Sequence, residues 1–239
     1  SERNEGYLAK VGEPLIQFYG YKTCGVWNSA EEIAANPHFS DDAPGGIRIV
    51  DTNNDGSLTP EDRVALGTPY PDFTWGITNT FQIKDFDISF LIQGVQGITV
   101  LNGDVYYNET KKWNKKYTKN RWVSAEHPGD GKTPYQNVKT GHDLMLTDYP
   151  LQNASYACLR NFTVGYTLPA TAARKIKLSG VRFYVSGSNL FYIWGSGYKG
   201  INPESRMTSG DYSSAMISGY QRGGFPLTST ISAGFDINF

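Results

Sequence analysis

Charge imbalance and long hydrophobic runs are both missing from this 239-residue sequence. The 22 Lys and Arg residues nearly balance the 23 Asp and Glu residues, so the net charge of -1 gives no electrostatic reason to expect nucleic acid as a partner. No run of about 18 apolar residues occurs, which excludes a transmembrane helix. A transmembrane β-barrel is still allowed, because alternating strands can give a mean hydropathy as low as the -0.43 found here.

Residues and motifs that carry enzyme chemistry are also scarce. The two cysteines, Cys24 and Cys158, fit no zinc or redox spacing, and they allow either two buried free thiols or one long-range disulfide. The three histidines, His38, His127 and His142, lie in unrelated polar segments and form no ligand set. No nucleophile elbow, P-loop or dinucleotide fingerprint occurs. The sequence therefore predicts that the protein is not an enzyme.

Alternating strand patterns dominate what is present. Apolar residues recur at every second position in five segments: FTWGITNTFQI (73–83), FDISFLIQG (86–94), SYACLRNFTVGYTLP (155–169), VRFYVSGSNL (181–190) and LTSTISAGFDINF (227–239). Lys84 and Asp85 alone separate the first two, which predicts a tight hairpin. Arg160 falls on the apolar parity of its segment, which predicts a bulge or a position at the rim of the apolar band. A weak strand pattern around Leu8–Phe18 is interrupted by Pro14.

Short and long connections alternate between these strands. The links after Ile83 and Leu168 are short, whereas the segments 20–72, 97–154 and 191–226 are long. Outer-membrane barrels have this arrangement, with short periplasmic turns and long extracellular loops. Strands of about ten to thirteen residues would reach roughly 33–43 Å, enough to cross an outer membrane at a tilt. The sequence predicts an all-β fold, and the alternative is a soluble β-sandwich whose apolar faces pack together.

The segment DTNNDGSLTPED (51–62) resembles the calcium-binding loop of an EF-hand. Glycine stands at loop position 6, where the chain must turn sharply. The predicted ligands are the side chains of Asp51, Asn53, Asp55 and Asp62 and the carbonyl of Ser57. Glycine and prolines follow the loop and an extended segment precedes it, so no helices flank it as in a sensor. We expect a structural calcium ion that pins a long loop with little core of its own, and the alternative is a solvated acidic turn without metal.

Aromatic residues make up 14% of the chain and allow two interpretations each. The basic and aromatic segment KKWNKKYTKNRW (111–122) could bind polyanions, but a surface lid with Trp113 and Trp122 packed inward is the preferred interpretation. Trp75, Tyr166 and Trp194 near strand ends fit either an interfacial aromatic girdle or sugar-stacking platforms.

The order of several segments resembles the C-terminal part of SusC/RagA-family TonB-dependent transporters. They are EPLIQFYGYKTCGVW, DTNNDGSLTPEDRVALGTPYPDFTWGI, ASYACLRNFTVGYTLP, VRFYVSGSNLFYI, INPES and the terminal GFDINF. The final aromatic residue is similar to the signal read by the barrel-assembly machinery. Cys158 and Arg160 stand where the family pattern more often has Leu and Lys, and the sequence assigns this departure no functional consequence.

The resemblance implies an architecture of 22 antiparallel strands around a plug domain. Residues 1–239 would supply only the last five or six strands of that transmembrane barrel, with loop 51–62 outside the cell and with the plug and earlier strands absent. The opening SERNEGYLAK has no signal-peptide core, which predicts either a cytoplasmic protein or a natural N-terminus further upstream. The resemblance implies the second. Edge strands exposed to lipid would have to pair with the remainder of the same barrel.

The resemblance also implies a function. The complete protein would import oligosaccharides or peptides across the outer membrane, would be energised by TonB through the missing N-terminal part, and would work with a SusD-like surface lipoprotein. The lumen-facing residues Asp87, Gln93, Arg182 and Tyr184 could contact the cargo. The alternative function is that of a secreted, calcium-stabilised, carbohydrate-binding β-sandwich, and a passive porin is a third possibility.

Overall fold

The computed structural model describes residues 6–105, 119–135, 144–195, 197–206 and 219–239. The five long strands are β6 (Phe73–Ile83), β7 (Phe86–Gln96), β10 (Tyr156–Thr167), β11 (Gly180–Trp194) and β13 (Thr230–Asn238). The short strands are β1 (Tyr7–Leu8), β2 (Gln17–Gly20), β3 (Thr23–Val26), β4 (Ile47–Ile49), β5 (Val64–Gly67), β8 (Thr99–Asn102), β9 (Leu151–Asn153) and β12 (Tyr220–Gln221). The helices are α1 (Ala30–Ala34), α2 (Gly103–Val105) and α3 (Ala170–Lys175). The predicted all-β class is confirmed.

None of the helices in the described ranges is long and apolar enough to cross a membrane.

The long strands form one antiparallel sheet in the order β6-β7-β10-β11-β13, in which each pairs with the next long strand along the chain. Ile83 lies opposite Phe86, which confirms the predicted two-residue hairpin. Lys84 in that turn has a φ of 55°, a left-handed conformation reached here without glycine. The weakly patterned segment Leu8–Phe18 forms no continuous strand; it contains only the end of β1 and the start of β2.

The two faces of this sheet differ in composition, as the alternation predicts. The exposed large side chains on the apolar face are Phe73, Ile77, Phe81, Ile83, Phe86, Phe183, Val185, Phe191, Ile193, Ile231, Phe235 and Ile237. The opposite face carries mainly Thr, Ser, Gly, Asn and charged residues. A β-sandwich would pack the apolar face against a second sheet, and no described residues cover it in this way.

The long connections leave the sheet at one end and pack together there. The sheets β12-β8-β9 and β3-β4 and the strand β5 belong to these connections, whereas β1 and β2 come before the first connection and join β5 in one sheet. One hydrophobic cluster contains Tyr21, Val26, Ile47, Ile49, Trp122 and Leu144, and another contains Phe18, Leu101 and Tyr220. The backbone of Tyr21 also donates to Leu146 at 2.8 Å, which ties the first connection to the second. The expectation of a loop with little core is therefore wrong, and Trp122 packs inward as predicted; residues 111–118, including Trp113, lie outside the described ranges.

The predicted bulge at Arg160 is confirmed. The register of β10 shifts between Leu159 and Asn161 against both of its neighbours, β7 and β11. The extra residue turns the guanidinium of Arg160 to the polar face, where its Nε donates to Gln93 Oε1 at 3.2 Å. The bulge thus keeps a charged side chain off the apolar face.

A network of ion pairs spans four strands at the opposite end of the polar face. Arg182 on β11 donates from Nε and Nη2 to the two carboxylate oxygens of Asp87 on β7, at 3.1 and 2.6 Å. Its Nη1 lies 3.5 Å from Asp236 on β13. Strand β10 lies between β7 and β11, and its Gly165 lies where the side chains of Asp87 and Arg182 meet. A Cβ at Gly165 would lie 2.4 Å from Asp87 and 2.5 Å from Arg182. The missing side chain lets the pair form.

We expect Gly165→Ala to lower the melting temperature by several degrees, because the new methyl group forces Asp87 and Arg182 apart. Gly76→Ala is the matched control, since it lies on the same face and its Cβ would meet its nearest neighbours at an ordinary 3.8 Å. That control should be neutral or slightly stabilising. Thermal unfolding of the purified variants measures both, and equal effects would contradict a specific role for the Gly165 crossing.

Candidate functional site

The calcium-like loop winds around its own carboxylate and amide side chains. Asp51 accepts the backbone amides of Asn54 and Gly56 at 2.7 and 2.8 Å. Asn53 and Asp55 each accept the amide two residues further on, at 2.9 and 2.8 Å. Gly56 has a φ of 84°, a left-handed conformation that favours glycine. The structure therefore brings three of the predicted ligand side chains onto a single turn.

Asp62 occupies a different place, at the base of the loop. It ends a single 3₁₀ turn, Pro60–Asp62, and its two carboxylate oxygens accept the amides of Thr52 and Thr59, both at 2.8 Å. The side chain is fully buried. Burial raises the pKa of this carboxyl, but the amides of Thr59 and Thr52 outweigh it and hold the pKa below its ordinary value of 3.8. Asp62 therefore closes the loop as a hydrogen-bond acceptor.

The donor set of the loop suits a hard cation, since every predicted ligand offers oxygen. A carboxylate oxygen that accepts a hydrogen bond from one amide keeps a second lone pair, which can still bind a metal ion. Within the described ranges, however, no three Asp, Glu, His or Cys side chains come together as a metal-binding group. Calcium at Asp51, Asn53, Asp55, Ser57 and Asp62 stays a prediction.

A polar cluster that sequence reasoning missed surrounds the bulge. Arg160 donates to Asn189 Oδ1 at 2.8 Å and to the hydroxyl of Tyr192 at 3.0 Å, and it forms an ion pair with Glu204. Glu204 belongs to the INPES segment of the third connection. Arg160 thus has a structural consequence that the sequence did not reveal, because it joins the sheet to a connection; a functional consequence is not shown. The signal in the sequence was a charged residue at a position where the alternation of this strand predicts an apolar one.

A row of aromatic rings lies beside that cluster. The ring centroids of Tyr156 and Tyr192 are 5.9 Å apart, those of Tyr192 and Trp194 are 6.4 Å apart, and those of Trp194 and Tyr198 are 6.0 Å apart. Trp194 lies opposite Tyr156, which in turn lies opposite Val95 on the polar face of the sheet. Trp194 therefore does not lie on the face that an aromatic girdle requires.

The other two girdle candidates do lie on the apolar face. Trp75 is opposite Gly94, where its indole covers the glycine so closely that a Cβ would approach it to 2.2 Å. Tyr166 packs on Phe86, with ring centroids 4.8 Å apart. Of the three candidates, only Trp75 and Tyr166 lie on the face that the girdle interpretation requires, and for them it stays a prediction.

Among the described residues, the thiols and imidazoles form no metal-binding group. Cys24 and Cys158 are both free, so the disulfide alternative is wrong; Cys158 is buried as expected, but Cys24 is exposed. His142 lies outside the described residues.

Comparison with known proteins identifies the family. No family model matches the sequence. The chain is 30% identical over 239 residues to TonB-dependent receptor P26 of Formosa agariphila, covering 96% of this chain and 23% of that protein. It is 26% identical over 192 residues to TonB-dependent receptor SusC of Bacteroides thetaiotaomicron, covering 80% and 17%. The chain belongs to the SusC/RagA family of TonB-dependent receptors.

Solved structures support the fold of this TonB-dependent receptor segment. The RagAB peptide transporter superposes with a TM-score of 0.71 at 19% identity, and the RagAB peptide importer in its open-open state with 0.66 at 18%. Each comparison covers 99% of this chain and 24% of the other. The chain thus spans about a quarter of the length of the proteins that it matches.

The buried carboxylate of Asp62 should make the stability of this segment depend on pH. A carboxyl whose folded pKa is depressed contributes stability above its unfolded pKa and loses that contribution as the pH falls through the folded value. Asp62→Asn loses one acceptor and cannot titrate. We expect the wild-type advantage in melting temperature to be constant between about pH 5 and 7 and to shrink as the pH falls below about 4. If the difference in melting temperature between wild type and Asp62→Asn stayed constant down to pH 3, the lowered pKa of Asp62 would be contradicted.

Proposed function

We propose that this chain is the C-terminal part of a TonB-dependent transporter that imports oligosaccharides or peptides across the outer membrane. The five-stranded sheet with one exposed apolar face supports this proposal most strongly. Lipid can cover such a face without a second protein layer, and a polar opposite face suits a water-filled lumen. The family relationship supports the same reading, since both named relatives are TonB-dependent receptors.

The edges of the sheet support a larger barrel. Within the described ranges, strands β6 and β13 each pair on one side only. Each unpaired backbone group costs roughly several kcal/mol in lipid. The remainder of the same barrel is the partner that we propose for both edges. By family resemblance the complete barrel has 22 strands with a plug, and TonB acts through that missing N-terminal part.

The packed connections support a surface role. All the long connections lie at one end of the sheet and share hydrophobic clusters, so together they present a folded surface rather than separate loops. We propose that this surface lies outside the cell and contacts a SusD-like lipoprotein, which hands over the cargo. The similarity to RagAB, whose structures are described as a peptide importer, keeps peptides alongside oligosaccharides as candidate cargo.

The transport proposal predicts that uptake requires both this protein and TonB. Cells supplied with fluorescently labelled oligosaccharides or peptides should accumulate one of them, and deletion of the full-length gene or inactivation of TonB should abolish that accumulation. Uptake that persists without TonB would indicate a passive porin. Recovery of the protein in the soluble fraction would favour the carbohydrate-binding β-sandwich instead.

Labelling of Cys24 tests whether the long connections lie outside the cell. It is exposed within the connections, whereas Cys158 is buried in the sheet. Burial of part of the side chain raises the pKa of the Cys24 thiol, so labelling needs mildly alkaline buffer. A membrane-impermeant maleimide should label intact cells that carry wild type and not those that carry Cys24→Ser. Labelling only after lysis would contradict extracellular connections.

We further propose that loop 51–62 binds a structural calcium ion through Asp51, Asn53, Asp55, Asp62 and the Ser57 carbonyl. The three carboxylates among these ligands give the negative charge that a divalent cation neutralises. The turn formed by the first three ligands supports the proposal because it organises them before the metal arrives.

Calcium should therefore raise the melting temperature of the wild-type protein. At about 1 mM, a typical level for extracellular calcium modules, the increase should be measurable. Asp51→Asn combined with Asp55→Asn should abolish it. Asp41→Asn, which removes an exposed charge outside the loop, should leave it intact. An equal response to magnesium, or a response that survives in the double variant, would refute a calcium site here.

A further inference from the structure

The exposure of Trp194 is unusual among its neighbours in the aromatic row. Tyr156 and Tyr198 are 8% and 5% exposed, whereas Trp194 between them is 37% exposed. The indole contacts Tyr192 on one side and Tyr198 edge-on at 80°. Two flanking rings therefore hold it while part of its surface stays open on the polar face, at the end of the sheet where the connections begin.

The surroundings of the indole favour a neutral ligand. Arg160 and Glu204 are the charged groups of the adjacent cluster, and they neutralise each other in an ion pair. Arg206 directs its Nη1 to the carbonyls of Pro203 and Ser205 at 2.8 and 2.7 Å. Because Arg160 is neutralised by Glu204 and Nη1 of Arg206 is engaged by two carbonyls, a neutral ligand can approach the indole without disturbing either contact.

The same surroundings supply polar groups beside the aromatic row, where the Tyr192 hydroxyl lies 3.4 Å from Glu204 Oε2. The hydroxyl of Tyr192 and the carboxylate of Glu204 are only partly buried, and a hydroxyl both donates and accepts. A pyranose ring presents an apolar C–H surface on one side and hydroxyl groups around its rim. An aromatic side chain with an apolar body and polar groups beside it matches that distribution.

We propose that Trp194 is a stacking platform for a sugar ring of a neutral oligosaccharide cargo, with Tyr192 and Glu204 as hydrogen-bonding groups at its rim. This inference rests on the transport function proposed above and specifies its cargo class. Tyr198 positions the indole from the side of the third connection, because its own hydroxyl is anchored to Gln221 Oε1 at 2.7 Å. The ion pair of Arg160 holds Glu204 in place.

The test uses the full-length transporter in detergent and calorimetric titration with a panel of neutral hexasaccharides of α- and β-linked glucose, xylose and mannose. At least one should bind wild type. Trp194→Ala should weaken that binding at least tenfold, and Trp194→Phe should weaken it less because a smaller ring remains. Trp75→Ala, on the opposite face of the sheet, should bind as wild type does.

Several outcomes would overturn the inference. The first is that no hexasaccharide binds wild type, and the second is that Trp194→Ala binds hexasaccharides as wild type does. The third comes from a matched panel of uncharged hexapeptides: Trp194→Ala weakens the binding of these peptides but not of the hexasaccharides. Heat-modifiable migration on gels verifies that the variants fold. TonB-dependent uptake of any cargo by the same cells separates the two proposals: if it persists, only the assignment of Trp194 fails, and if wild type lacks it, the transport function itself fails.

Discussion

The two-residue period of extended strands is the constraint on which the rest of this molecule depends. Slipping one strand by a single residue would move its whole apolar set to the polar face. The hairpin at Lys84 and Asp85 sets the register at one point, and the ion pair from Arg182 to Asp87 and Asp236 spans four strands near the same end. The apolar face, the polar face and the emergence of every long connection at one end all follow from that register.

The bulge at Arg160 is the informative exception to this period. In strict alternation the guanidinium would lie on the apolar face, where an arginine at the midplane of an outer-membrane barrel costs about 2–4 kcal/mol. One extra residue transfers it to the polar face and gives it Gln93, Tyr192 and Glu204 as partners. Because Glu204 belongs to a connection, the same irregularity that protects the apolar face also attaches the packed connections to the sheet.

Local patterns predict the parts of the structure that obey short-range rules, and they miss the parts that depend on distant partners. Alternation predicts the five long strands, and parity predicts the bulge. The spacing of the calcium-like loop identifies Asp51, Asn53 and Asp55, whose hydrogen bonds lie within that loop. Periodicity says nothing of the hydrophobic clusters in the connections, because their members come from three separate segments. The pairing of Arg160 with Glu204 spans 44 positions, and nothing local to either residue specifies it.

The sheet has two requirements that its surroundings must meet at the same time. The apolar face needs a non-aqueous neighbour, and the outer backbone groups of β6 and β13 need hydrogen-bond partners. A second sheet of a sandwich would cover the face but leave both edges open, which is tolerable only in water. A partner strand at each edge would satisfy the backbone but leave the apolar face in water. The proposed barrel meets both needs at once, since closure pairs the edges and lipid covers the face. The polar face, which carries Trp194, would then line the lumen of the proposed barrel.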